Sequence, residues 1–278
     1  MPSESVPFER YRGGHVITVP VRLADSVPAR FVLDTGIGLP IVSAALARRE
    51  GWPETGATGS GRRMSGQLVS APLVRIPSIS IGSLRRENVL AGMLDLGTFL
   101  PPESGIEGFL APSVFEPWPF AINSVTGTVR LLRGDDAGAP LGVGVEAPVF
   151  RHREGDGISY FLDLRLPSGS IARVEIDTGT DSLILHTRYM RELGVDPGRA
   201  GVVERHGEDE TGHAYTRWFA TVRGAFRVAA APSICQNDPA VMFQEIIYDG
   251  LIGDAFLRSY DVTYDLARSR LIFANPTP

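Results

Sequence analysis

The chain contains no lysine; all 27 of its basic residues are arginine. This bias points to a GC-rich coding genome and carries no mechanistic weight. There is one cysteine, Cys235, so no internal disulfide can form, and with no conspicuous base beside it in sequence its expected role is packing. No apolar run approaches membrane-spanning length, and Met1–Pro7 has no apolar signal core. The expectation is a cytoplasmic protein with no membrane partner. A net charge of −5, a pI of about 5.6 and no basic stripe argue against nucleic acid as a partner. The five histidines show no HExxH spacing, so no metal is expected, and no serine sits in a Gly-x-Ser-x-Gly elbow. Residues 142–147 match a dinucleotide-binding fingerprint letter by letter. Pro148 follows at once, though, and a helix cannot start there as that chemistry needs, so no cofactor is expected.

What is present is a globular composition, 43% hydrophobic and 21% charged, in a chain long enough for about two domains. The 31 glycines and 21 prolines punctuate short apolar runs, which favours many strands over long helices.

The chain is organised around Phe31-Val32-Leu33-Asp34-Thr35-Gly36 and its near-copy Val174-Glu175-Ile176-Asp177-Thr178-Gly179. Upstream of each aspartate the surroundings match at identical offsets: Arg22-Leu23 and Ala29-Arg30 before the first, Arg165-Leu166 and Ala172-Arg173 before the second. About 75 residues downstream, Gly108-Phe109-Leu110-Ala111 answers Gly250-Leu251-Ile252-Gly253. Ile122-Asn123 and Tyr264-Asp265 then open matching short hairpins. One Asp-Thr-Gly is an ordinary strand-end turn. Two in matched surroundings indicate an internal duplication.

These residues resemble the aspartic peptidases of the pepsin/retropepsin-like superfamily, in a single-chain tandem, bacterial-type form. The resemblance covers about residues 14–133 and 158–274. It implies an all-β, bilobal acid-protease fold with two pseudo-symmetric β-barrel-like lobes, 14–133 and 158–274, joined by a linker with an interface strand at 134–157. It implies an endopeptidase whose catalytic pair is Asp34 and Asp177, acting as a monomer on a peptide or protein substrate. In such a pair one carboxylate takes a proton from water while its protonated neighbour donates to the carbonyl oxygen. Two charges about 3 Å apart repel by about 5 kcal/mol at an effective dielectric of 20, which splits the two titrations. The expected pH optimum for a cytoplasmic enzyme lies nearer neutral than that of pepsin. The rival reading is a protein of this fold that binds peptides, or acts on a specific small molecule, without general proteolysis.

Around the pair, Gly36 and Gly179 allow close approach of backbone to the carboxylates. The hydroxyls of Thr35 and Thr178 are expected to cross to the opposite loop, as in the family. Asp181 stands where retropepsins carry a substrate-binding acid; its alternative role is pairing with an arginine. Gly38 replaces the Ser or Thr usual in pepsins, and Ala111 stands where Gly is usual. Segments 55–69 and 207–215 are expected to form hairpins over the cleft, with Gly66, Gly212 and Tyr215 as substrate contacts. Their tips differ in charge, Arg62-Arg63 against Glu208-Asp209-Glu210. Short helices are expected at Ser43–Arg49 and His186–Leu193. Arg22, Arg30, Arg165 and Arg173 are either solvent-facing strand residues or contacts between lobes. Residues 1–13 are either a removable cover or an edge strand.

Overall fold

The computed structural model describes residues 4–11, 14–98, 100–132, 144–209 and 212–276. Residues 134–143 of the expected linker, and with them 142 and 143 of the glycine-rich match, lie outside the described residues, as do Glu210 and Thr211.

The first half runs β1 (Glu4–Pro7), β2 (Glu9–Arg10), the hairpin β3 (Ile17–Leu23) and β4 (Val27–Leu33), then β5 (Ile41–Ser43) and helix α1 (Ala44–Arg49). It continues through β6 (Glu54–Arg62), β7 (Leu68–Ile81), β8 (Leu84–Leu94) and β9 (Ile106–Leu110) to the hairpin β10 (Phe120–Asn123) and β11 (Thr128–Leu131). The second half runs β12 (Val145–Pro148), β13 (Phe150–Glu154), β14 (Gly157–Arg165), β15 (Ile171–Ile176) and β16 (Leu183–His186). It continues through β17 (Val203–Glu208), β18 (Ala214–Thr221), β19 (Ala225–Val228), β20 (Ala231–Asn237), β21 (Ala240–Gln244) and β22 (Gly250–Ile252). The short helix α2 (Asp254–Leu257) and the hairpin β23 (Asp261–Asp265) and β24 (Arg270–Ala274) complete it. The fold is all-β, as the turn-rich sequence implies.

Strand period explains the core. In β3, Ile17, Val19, Val21 and Leu23 point one way and are buried, while Pro20 and Arg22 face solvent. Strands β3, β4, β9, β5, β8 and β7 pair in that order, and β7 returns to β3, closing a six-stranded barrel. The second half repeats these pairings and their senses. β4–β9 and β15–β22 are parallel, as are β5–β8 and β16–β21, while β5–β9 and β16–β22 are antiparallel. The long hairpin β7–β8 has its counterpart in two stacked pieces, β18–β21 and β19–β20. Gly224 (φ +105°) and Asp238 (φ +45°) break it there, joined by the Gly224 N–H donating to the Asp238 carboxylate at 2.7 Å.

A third sheet, in the order β1-β11-β10-β23-β24-β12, joins the halves. Its centre is β10 against β23, where Phe120 lies opposite Tyr264 with ring centroids 4.7 Å apart, and Phe115 stacks on Phe120 at 4.1 Å. β1 borders β11 as β12 borders β24, and β2 then pairs with β3 as β13 pairs with β14. The segment from Glu4 is therefore an ordered edge strand, and the repeated pattern starts upstream of the expected residue 14.

Two helix expectations part ways. Ser43 caps α1, its hydroxyl accepting from the Leu46 N–H at 3.0 Å. At His186–Leu193 only a 3-10 turn forms, over Thr187–Tyr189. There the His186 ring takes the Arg188 N–H, and Leu193 divides its N–H between the Tyr189 and Met190 carbonyls, so no regular i to i−4 ladder develops.

The repeated arginines are not what ties the halves together. Arg173 pairs with Asp163 at 2.9 Å and lies over Phe150, Arg30 reaches Glu9 at 3.1 Å, and Arg165 reaches the Gly169 carbonyl, each within its own half. The ties between halves come instead from the short strands that precede each barrel. Arg10 on β2 grips buried Asp254 of the second half at 2.8 and 3.1 Å. Arg151 on β13 grips Glu116 of the first half at 3.0 and 3.3 Å, helped by the Tyr160 hydroxyl at 2.7 Å.

The two clamps differ in burial, and so in worth. Arg10→Ala leaves the Asp254 carboxylate, 2% exposed, with only Arg258 at 3.6 Å. It should cost about 2–3 kcal/mol, read as a lower urea midpoint at unchanged m. Arg151→Ala should cost about 1 kcal/mol or less, because that pair is open to solvent and Tyr160 remains. Equal losses would contradict this ranking.

Candidate active site

Each Asp-Thr-Gly follows a strand whose last three residues, 31–33 and 174–176, are buried. The Asp34 N–H bonds the Leu110 carbonyl at 3.1 Å, and the Asp177 N–H bonds the Ile252 carbonyl at 3.0 Å, so both aspartates leave the barrel at the same step. Two loops that share no chain continuity then meet. The Thr35 hydroxyl donates to the Ile176 carbonyl at 2.8 Å and accepts the Thr178 N–H at 3.0 Å. The Thr178 hydroxyl donates to the Leu33 carbonyl at 2.8 Å and accepts the Thr35 N–H at 3.0 Å. Both threonines are 2% exposed or less, so these four bonds are shielded from water.

The lock brings the carboxyls face to face. The Gly36 N–H donates to Asp34 Oδ1 at 2.9 Å, and the Gly179 N–H to Asp177 Oδ1 at 2.8 Å. A Cβ on Gly36 would stand 2.5 Å from Asp177 Cγ, and one on Gly179 would stand 2.7 Å from Asp34 Oδ2. Each glycine is thus the floor beneath the opposite carboxyl.

The electrostatics of the pair are unequal. Burial, and then the negative charge of Asp177, push the Asp34 carboxyl well above the usual carboxylate range. Burial raises Asp177 too, against the Gly179 N–H, the bond to Asp34, the Thr180 N–H and the charge of His15. The two carboxyls titrate as a unit, with both raised and Asp34 raised the further.

Residues 19–110 match a family model described as aspartyl protease. The matched stretch contains Asp34, Thr35 and Gly36 but not the second motif. It supports an aspartyl protease family and, with it, hydrolysis of peptide bonds in general. No curated protein matches the chain.

The departures from the family pattern have local causes. Gly38 lies backbone to backbone on the start of β14: its carbonyl takes the Ile158 N–H at 3.0 Å, and a Cβ would stand 2.8 Å from that nitrogen. No Ser or Thr fits there. In the second half Gly253 is obligatory, because a Cβ would stand 2.6–2.7 Å from the carbonyls of Thr180, Asp181 and Ser182. The N–H groups of Asp254 and Ala255 draw that loop in, bonding Thr180 and Asp181 at 2.8 Å. In the first half Pro112 has no N–H to offer, and Ala111 takes the glycine's place, fully buried.

The two hairpins are built alike. At the first tip the Gly66 N–H bonds the Arg63 carbonyl at 2.8 Å, and at the second the Gly212 N–H bonds the Asp209 carbonyl at 2.9 Å. Both glycines have positive φ, +83° and +76°, a conformation that favours glycine. Among the described residues the first hairpin makes three polar contacts to the second half, Arg62 to Glu154 at 3.1 Å, the Met64 carbonyl to the Ile247 N–H at 2.9 Å, and Arg63 to Asp209 at 3.7 Å, and its Met64 side chain packs on the cluster of Ile184, Met242, Ile246 and Leu251. The charge difference between the tips is therefore used to pair them.

Of the other expected contacts, Asp181 is exposed beside the second loop and has no ion pair among the described residues. Tyr215 lies against Gly207 of its own hairpin, beneath the Arg217 guanidinium at 3.7 Å. No contact joins it to the dyad loops among the described residues.

Two neighbours of the dyad went unremarked in the sequence as site residues. His15 Nε2 lies 3.1 Å from the Gly179 carbonyl. Glu175 is 4% exposed, two residues before Asp177 and thus on the same strand face. Burial first, then the charge of Asp177, hold its carboxyl well above the usual range. The signal for Glu175 was present in the sequence: its counterpart in the first motif is Val32.

Two tests follow from this geometry. Thr35→Val strips a donor from one buried carbonyl and an acceptor from one buried N–H, and should cost about 2–4 kcal/mol in denaturant unfolding, while Thr35→Ser should retain most of that stability. Glu175 has its pKa raised on folding, so its contribution is present below the unfolded-state carboxyl pKa and is lost as pH rises through the folded value. Glu175→Gln should therefore gain stability relative to wild type as pH increases from 5 to 8, read as the difference in urea midpoints. A difference that stays constant or falls would contradict it.

Proposed function

We propose that the protein is an aspartic endopeptidase, an internally duplicated chain of retropepsin-like character that carries both halves of its dyad and acts as a monomer. The observation that carries this reading is the reciprocal Thr35–Thr178 lock, which holds Asp34 and Asp177 together with unequal proton affinities.

A peptide in extended form lies between the halves beneath the hairpins. A water between the carboxyls gives its proton to Asp177 as its oxygen adds to the scissile carbonyl carbon, and Asp34 donates its proton to the carbonyl oxygen. The resulting gem-diol collapses when Asp177 returns its proton to the amide nitrogen and Asp34 recovers one from a hydroxyl. The C–N bond breaks, and the two carboxyls regain their starting states. Gly66 and Gly212 place the backbone of both hairpin tips above the substrate, and the exposed Asp181 carboxylate is available to a substrate N–H.

A narrower reading, action on a selected peptide or small molecule without general proteolysis, draws support from the three polar contacts that hold the first hairpin to the second half. A substrate must displace them, which disfavours casual ones.

The deciding experiment is mass spectrometry of a denatured protein mixture incubated with wild type, Asp34→Asn and Asp177→Asn between pH 3 and 8. Cleavage by wild type, reduced at least about 100-fold by either substitution, is expected. Because both carboxyls are raised, the active window should sit above the ordinary carboxylate range, towards neutral pH. A mixture left intact by folded wild type at every pH would overturn general proteolysis, and a maximum confined to strong acid would overturn the pH argument.

A further inference from the structure

Beside the dyad is a third carboxyl that the proposed mechanism does not use. Glu175 lies on β15 between Phe161 of β14 and Leu251 of β22, on the face that carries Asp177. The Ser159 hydroxyl of β14 lies near enough to act on both its carboxyl and the Tyr248 hydroxyl, and Tyr248 packs edge-on against Phe161 at 5.1 Å. The charges acting on Glu175 are those of Asp177 and Asp34, both acidic. No arginine or histidine pairs with it among the described residues.

A buried carboxyl surrounded by acids is costly to keep, and nothing in packing demands it, since Val32 fills the same position in the first half. The first hairpin covers this side: Met64 packs with Tyr248 on the cluster containing Leu251, the register partner of Glu175, and its carbonyl takes the Ile247 N–H. Of the two cations of that hairpin, Arg62 is held by Glu154 and Arg63 reaches Asp209. Raising the hairpin to admit a substrate thus uncovers an acidic, hydroxyl-lined recess one step from the reacting carboxyls.

We propose that Glu175, with the hydroxyls of Ser159 and Tyr248, forms a subsite that takes the cationic side chain, lysine or arginine, of a substrate residue flanking the bond to be cut. The assignment rests on the peptidase reading above. An ammonium or guanidinium there supplies the counter-charge that Glu175 lacks and donates to both its oxygens. The corresponding place across the dyad, floored by Val32, takes an apolar side chain, so the preferred sequence is apolar on one side of the bond and basic on the other.

The test uses paired peptides that differ only in lysine or norleucine at each residue flanking the scissile bond, made both as cleavable substrates and with a reduced, uncleavable bond. Wild type should prefer lysine at one of these positions by at least 10-fold, both in kcat/KM and in the Kd of the uncleavable pair. In Glu175→Gln that ratio should fall at least 5-fold. Glu175→Asp, which keeps the charge, should retain part of the preference. Cleavage without discrimination between lysine and norleucine would overturn the subsite while leaving the peptidase standing. Binding that prefers lysine, is lost in Glu175→Gln and is accompanied by no cleavage would overturn the peptidase and uphold the recess. An unchanged ratio in Glu175→Gln would also overturn the subsite.

Discussion

The structure depends on four hydrogen bonds made by two threonine side chains. Thr35 and Thr178 each use one hydroxyl as donor and acceptor at once, and each spans from one half of the chain to the other. In water such bonds would be worth little. Buried, they leave no alternative partner for the Leu33 and Ile176 carbonyls or for the two threonine N–H groups, so the loops have one low-energy relation to each other. Everything chemical follows from that relation. It fixes Gly36 beneath Asp177 and Gly179 beneath Asp34, and the distance between the carboxyls then requires that their titrations differ.

A lock of this kind works only if the halves arrive in register. The central sheet supplies the register, with β10 against β23 and the stack of Phe115, Phe120 and Tyr264 at its middle. The arginine clamps hold it from the side. Arg10 and Arg151 occupy corresponding strands, yet each reaches an acid in the other half, so each half's leading segment is strapped across its neighbour. The barrels are joined by exchange of edges as well as by a shared face, and the hairpins add a third contact above the cleft through Arg63 and Asp209. Opening the cleft therefore means breaking the longest of these contacts, while the floor stays fixed.

The sequence disclosed what repeats and concealed what crosses. Asp34, Thr35 and Gly36 with their twins could be read directly, because a tripeptide repeated in matched surroundings seldom arises except by internal duplication, and short apolar runs cut by Gly and Pro pointed to the all-β class. The Arg10–Asp254 and Arg151–Glu116 clamps were out of reach, because they depend on the relative placement of two halves that composition does not encode. The repeated arginines at 22, 30, 165 and 173 drew attention through their symmetry, and those at 30, 165 and 173 proved to be local partners within their own halves. Gly38 illustrates the same limit. It read as a departure from pattern, and its cause is the start of a strand more than a hundred residues away. The helix expected at His186–Leu193 is capped by His186 yet stops at a 3-10 turn, as Leu193 splits its N–H between the Tyr189 and Met190 carbonyls.

The same symmetry poses a chemical problem. Two identical carboxyls in identical surroundings would have no reason for one to hold the proton, and a single-chain protein can resolve this by letting the surroundings diverge. Nineteen residues before Asp34 stands His15, and nineteen before Asp177 stands Ile158. His15 reaches the Gly179 carbonyl, and its charge favours ionised Asp177. Asp34 faces the negative charge of its partner, which adds to burial in raising its carboxyl. Divergence continues outward, Val32 against Glu175 and Gly38 against Asp181, on the faces and loops that flank the dyad, while the threonines, glycines and strand pairings that position it are kept. On the proposed peptidase reading, a shared lock with unequal walls suits a pair of carboxyls with different tasks.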